Sequence, residues 1–101
     1  MFRATGNKGF HMSFANGLTI SVQFGRGNYC ANKRAEKNSP FDQQCIDAEV
    51  AVWVTAKPKQ NVDVSALRKG EFVTSQQPFD MGWQSTNEVA EIIHVVSTFV
   101  I

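Results

Sequence analysis

Four side chains of this sequence, His11, Cys30, Cys45 and His94, could together ligate a metal. Zinc sites usually present their ligands as close pairs on elements that the ion ties together. Here the thiols are fifteen positions apart and the histidines fall on different elements, so neither a metal nor another cofactor is expected. A Cys30–Cys45 disulfide would contribute ~3 kcal/mol by closing a loop of about fifteen residues. It would need an oxidising compartment that nothing else in the chain suggests, so the thiols are read as reduced. Cys30 and His11 could form a nucleophile–base pair, but no residue stands where it would orient the histidine or bind an oxyanion. Asp47 and Glu49 share one face of a strand and read as solvated charges, not as an acid–base pair. No catalytic residue is assigned, and the chain is not read as an enzyme.

The segment Gly25-Arg26-Gly27-Asn28-Tyr29 has more to offer a ligand. Two glycines would let backbone N–H groups approach an anion, and Arg26 supplies a fork suited to phosphate or carboxylate. Tyr29 adds a stacking face. Arg26, Lys33, Arg34 and Lys37 against Glu36 leave this region net +3. It is not a Walker loop, since no GK[ST] follows and no helix opens after it. The candidate binding surface is therefore Arg26, Asn28, Tyr29, Lys33 and Arg34. Trp53 is added as an aromatic on the polar face of its strand, open to a partner unless residues 57–82 fold over it.

These residues must be positioned by a hairpin. Phe10, Met12 and Phe14 alternate with His11, Ser13 and Ala15, while Leu18, Ile20, Val22 and Phe24 alternate with Thr19, Ser21 and Gln23. Asn16-Gly17 between the two runs is a strong turn signal. A two-residue loop would set the phenylalanines opposite hydroxyls. A three-residue loop, Ala15-Asn16-Gly17, pairs Phe14 with Leu18, Met12 with Ile20 and Phe10 with Val22, so burial selects it. Gly17 then takes the left-handed conformation of a G1 bulge.

Residues 1–8 read as a frayed lead-in, and 31–44 as a long polar loop or a short helix around Lys33–Asn38 ended by Ser39-Pro40. Ile46–Ala56 is a third strand, with Ile46, Ala48, Val50, Val52 and Val54 toward the core, stopped by Lys57-Pro58-Lys59. Val62–Val64 reads as a short strand, Ser65–Lys69 as one helical turn before Gly70, and Glu71–Thr74 as a short edge strand. Ser85 and Glu88 form a capping box, after which Val89, Ile92, Ile93, Val96 and Val100 recur at helical spacing. The apolar end Phe99-Val100-Ile101 is expected to be buried in the fold or in a neighbour. The class is α+β, with two layers: an antiparallel β-sheet, made of the hairpin plus a third strand, and a C-terminal helix on one face.

At 101 residues the chain is one domain, and 43% hydrophobic content with eight Phe suffices for a small core. A net charge of +1 and a pI near 7.8 give no basic field for nucleic acid, so direct nucleic-acid binding is not expected. No window approaches the ~18 apolar residues of a membrane span. No apolar run precedes the hairpin as a secretory signal would, so a cytosolic location is expected.

The run NG-x-T-x-SVQFG-x-GNYC within residues 10–30, with Ala48-Glu49-Val50-Ala51 and Ser85-Thr86-Asn87-Glu88-Val89-Ala90, resembles a family of small proteins encoded by bacteriophages and prophages. The resemblance covers most of the chain except about residues 31–44 and 57–80. It implies phage origin and a host-cytoplasmic accessory role, and it carries no activity or site residues. The expected function is a counter-defence inhibitor, anti-CRISPR-like, that binds a host defence protein stoichiometrically as a homodimer or higher oligomer. The alternatives are a sponge for a nucleotide immune signal and a small Cys/His enzyme.

Overall fold

The computed structural model describes residues 1–6, 8–36 and 44–101. In chain order the elements are β1 (Phe2–Ala4), β2 (Gly9–Ser13), β3 (Leu18–Gln23), β4 (Asp47–Val54), β5 (Lys57–Val62), α1 (Val64–Arg68), β6 (Thr74–Ser75), β7 (Met81–Ser85) and α2 (Thr86–Thr98). All pairings are antiparallel, in the order β1-β2-β3-β4-β5-β6, and β7 pairs with β4 off that path. The chain is thus a small α+β protein with a C-terminal helix, and a hairpin plus a third strand understates the sheet, which has seven strands among the described residues.

The hairpin takes the register that burial requires. Phe10 faces Val22 and Met12 faces Ile20. The Phe14 N–H donates to Leu18 O at 2.9 Å, and Gly17 has φ +88°. Asn16 does more than turn the chain. Its Nδ2 donates to the carbonyls of Val96 (2.7 Å) and Phe99 (3.1 Å), while its Oδ1 accepts the Leu18 N–H. A hairpin tip therefore satisfies carbonyls that the C-terminal end of α2 would otherwise leave unpaired.

Leu18, Ile20, Val22, Val50 and Val52 line one face of the sheet, and Ile92 and Val96 of α2 close over it. Val62, Val64 and Leu67 extend this core under α1. At roughly 1.5–3 kcal/mol for each fully buried aliphatic side chain, the helix–sheet seam is what holds the two layers together. Both bonds of the capping box form: the Glu88 N–H donates to Ser85 Oγ, and the Ser85 N–H donates to Glu88 Oε1. Arg68 pairs with Glu91 and links the two helices at the surface.

Several expectations are corrected. Residues 2–4 are not frayed: they pair with β2, and Met1 and Ser13 exchange two backbone bonds of 2.9 Å beyond them. Lys57-Pro58-Lys59 does not stop the sheet but opens β5, with Pro58 at a register shift where its missing N–H is tolerated. Val62 ends β5, Asp63 caps α1 by accepting from the Ser65 and Ala66 N–H groups, and Val64 is helical. The edge strand expected at 71–74 is β6, two residues long and displaced to Thr74–Ser75. Ile46 precedes β4 and is 80% exposed. Of the apolar end, Phe99 is half-buried against the core and stacks on Phe72, whereas Val100 and Ile101 lie beyond α2 and are exposed, Val100 to 89%. Residues 31–34 are turns, while the rest of the surface helix considered around Lys33–Asn38, with Ser39-Pro40, falls partly outside the described residues.

Candidate functional site

The loop from Gly25 to Ala35 folds back over the polar face of the sheet. Asn28 anchors it: its Oδ1 accepts the Gly25 N–H at 3.1 Å, and its Nδ2 donates to Glu49 Oε1 at 3.3 Å. The Ala31 N–H donates to Asp47 Oδ1 at 2.7 Å. Asp47 and Glu49 are therefore half-buried fastenings for the loop, not solvated charges. The anion cradle expected of the two glycines does not form. The Gly25 N–H is taken by Asn28, and the Gly27 N–H donates to Lys33 O at 3.0 Å.

What the loop presents is aromatic. Tyr29 settles on β7 at Gly82, where any Cβ would come within 2.9 Å of the Tyr29 Cβ. The Trp83 N–H donates to Tyr29 O at 2.8 Å, and the two rings lie 5.7 Å apart and tilted by 36°. Lys33 Nζ stands 4.5 Å over the Tyr29 ring, a cation–π contact. Tyr29 is 45% and Trp83 55% exposed. Trp83 has φ +52° and is the only non-glycine residue at positive φ among the described residues. That conformation costs about 1–2 kcal/mol, so the surrounding contacts must hold it. Arg26 and Arg34 are exposed on the same loop.

Trp53 is on the same sheet face but apart from this cluster. It lies four residues beyond Glu49, about 13 Å along the strand at ~3.3 Å per residue. β5 and β6 extend the sheet sideways, and of residues 57–82 Pro58 borders Trp53, which is half-buried. It lines a recess of about 380 Å³ with Arg3, His11, Ser13, Thr19 and Thr55. The rings of His11 and Trp53 meet edge-on at 4.9 Å. The hydroxyls of Ser13, Thr19 and Thr55 form a chain with spacings of 2.9 and 2.7 Å.

Burial and the neighbouring Arg3 guanidinium hold His11 below its usual pKa of 6.5. An unfolded chain therefore takes up a proton on this imidazole at a higher pH than the folded one does. The stability due to its neutral form is complete above about pH 6.5 and is lost as pH falls toward the depressed folded value. Thermal midpoints should fall with acidification in this window, and the fall should be shallower in His11→Gln. Equal slopes would remove His11 as the cause.

Of the four metal-ligand candidates, two come together. Cys30 and Cys45 are free thiols beside Asp47, whereas His11 lines the recess and His94 is exposed on α2. Burial, with Cys45 and Asp47 beside it, pushes the Cys30 thiol up to about 11, which makes it a weak nucleophile. His11 is not among the groups that contact it.

Sequence reasoning missed Trp83 as a partner of Tyr29. Met81-Gly82-Trp83-Gln84-Ser85 carries no apolar alternation that would mark a strand. Among the described residues no helix is long and apolar enough to cross a membrane. No protein-family model, curated protein or solved structure matches the chain.

Proposed function

We propose that this protein is a non-enzymatic binding protein of phage origin that occludes a host defence protein through the Tyr29–Trp83–Lys33 cluster, with Arg26 and Arg34 at its rim. The observation that carries this reading is Trp83, an exposed ring held in a costly backbone conformation against Tyr29. Tryptophan, tyrosine and arginine are the residues enriched among interface hot spots, and pre-ordered rings lose little entropy on binding. The basic rim favours an acidic patch on the partner.

The test is the plating efficiency of defence-sensitive phage on hosts that carry individual defence systems and express this protein. Trp83→Ala is expected to weaken target binding about 30-fold, the equivalent of a 2 kcal/mol hot spot, and to abolish protection. Trp83→Gly, which adopts the positive φ at little cost, should lose binding equally while the protein stays folded. Protection that survives both Trp83→Ala and Arg34→Glu would show that the cluster is not the site.

A second reading, sequestration of a nucleotide signal, is favoured by the recess at Trp53. Its volume falls within the range of small-molecule pockets, and Arg3, a ring face and hydroxyls converge in it. A nucleotide panel read by thermal shift distinguishes the two. Stabilisation that is lost in Trp53→Ala but kept in Trp83→Ala would favour the recess.

A further inference from the structure

Where the loop returns to β4, three donor side chains converge. Cys30 Sγ, Cys45 Sγ and a carboxylate oxygen of Asp47 all lie within 4.8 Å of one another. Cys30 is 2% exposed, and Cys45 and Asp47 are half-buried. A tetrahedral zinc ion, with Zn–S near 2.3 Å and Zn–O near 2.1 Å, sets its donors about 3.4–3.8 Å apart. The three groups would need to close in by roughly 1 Å at most.

The supports around the donors are already in place. Asp47 Oδ1 accepts the Ala31 N–H at 2.7 Å, which fixes the carboxylate. Asn32 Nδ2 donates to Phe24 O (2.9 Å) and Gln44 O (2.7 Å), which ties together the two stretches that carry the thiols. Hydrogen-bonded carboxylates of this kind orient metal ligands. A disulfide would join the two sulfurs and leave the carboxylate to the Ala31 N–H alone. A metal uses all three. Cys45 also opens onto a recess of about 460 Å³ bordered by Ala31, Asn32, Gln44 and Ile46, with room for water as a fourth ligand.

We propose that Cys30, Cys45 and Asp47 form a zinc site that staples the Gly25–Ala35 loop to β4, with water in the fourth position. Two thiolates with one carboxylate suit borderline-soft Zn²⁺, whereas Mg²⁺ and Ca²⁺ take oxygen donors. The step is not a redox reaction. Two S–H bonds release their protons to solvent as two Zn–S bonds form, and the complex carries net charge −1 beside a loop bearing Arg26, Lys33 and Arg34. The site is independent of the proposed function, although it would hold the backbone that carries Tyr29.

The test uses the reduced full chain, titrated with Co²⁺ and then Zn²⁺. One equivalent of cobalt should give a thiolate charge-transfer band and tetrahedral visible bands, and zinc should displace it. Native mass spectrometry should show one zinc per chain, and zinc should raise the thermal midpoint. Cys45→Ser should remove most of the charge-transfer intensity, and Asp47→Asn, which keeps an acceptor for Ala31, should weaken binding roughly 10-fold or more. Circular dichroism of the metal-free variants checks that they fold, and the wild-type zinc shift stands without them. The proposal is overturned by the absence of a thiolate band in the reduced protein, by zinc affinity unchanged in Cys45→Ser, or by a Cys30–Cys45 disulfide that resists thiol reductant in the native state.

Discussion

Gly9→Ala is expected to destabilise the protein by about 3 kcal/mol, through overpacking and the loss of a backbone hydrogen bond. An alanine Cβ at this position would lie 1.9 Å from the Val22 carbonyl oxygen and 2.9 Å from the Gln23 Cα. Neither neighbour is a flexible side chain that could swing aside. Gly9 pairs with Gln23 at the end of the β2–β3 ladder, and the Phe24 N–H donates to Lys8 O at 2.7 Å just beyond it. The strands must therefore separate, and the ladder end goes with them. At roughly 4–8 °C per kcal/mol for a domain near this size, the midpoint should fall by about 12–24 °C. Gly17→Ala is the control. Gly17 has φ +88° but open space around it, so its cost is only about 1 kcal/mol of backbone strain. Comparable losses for the two variants in thermal or urea unfolding would refute the clash argument.

Ile92→Ala should cost a similar 2–5 kcal/mol for a different reason. Ile92 has no exposed surface and, with Val96, faces Leu18, Ile20, Val50 and Val52 across the seam between helix and sheet. Truncation removes apolar burial and leaves a cavity that strands tied on both sides cannot collapse around. Ile92→Val should cost only about 1 kcal/mol. Val100→Ala, one helical stripe position further on by sequence, should cost almost nothing, since Val100 is 89% exposed. A loss above ~1 kcal/mol at Val100 would mean that this end of the chain is covered in solution.

The elements legible in the sequence are those whose burial leaves a period. The hairpin register followed from its apolar alternation, β4 from Ala48, Val50, Val52 and Val54, and α2 from a capping box and a stripe. The strands that escaped notice are edge or interrupted ones. Phe-Arg-Ala in β1 is exposed throughout, Lys-Pro-Lys-Gln-Asn-Val in β5 buries only Val62, and β7 is broken by Gly82 and by Trp83 at positive φ. Their pairing comes from open backbone edges, which no side-chain pattern records. The candidate site was half legible. Arg26, Asn28, Tyr29, Lys33 and Arg34 are close in sequence, so one loop carries them all. The ring that completes the cluster, Trp83, comes from a distant strand, and Asp47, two positions after Cys45, meets Cys30 only once the loop has folded back onto β4. Asn28, a ligand-facing candidate by sequence, is the bolt between the loop and Glu49.

The outer edge of β4 is shared by two strands. β5 takes Trp53 and Val54, and β7 takes Asp47, Ala48 and Val50. These halves are not equivalent in time. The β4–β5 hairpin closes a tight turn and can zip within microseconds, whereas β7 must first carry the whole 63–80 segment back across the sheet. Only then does α2, which begins at the residue after β7, reach the apolar face it covers. The chain is therefore ordered as a latch. The β2–β3 and β4–β5 hairpins are local units, whereas β3–β4, joined through residues 24–46, and β4–β7, joined through residues 63–80, are long-range pairings, and the second of these both completes the sheet and brings the helix over it. A sheet built on two such long-range pairings is expected to fold in milliseconds to seconds.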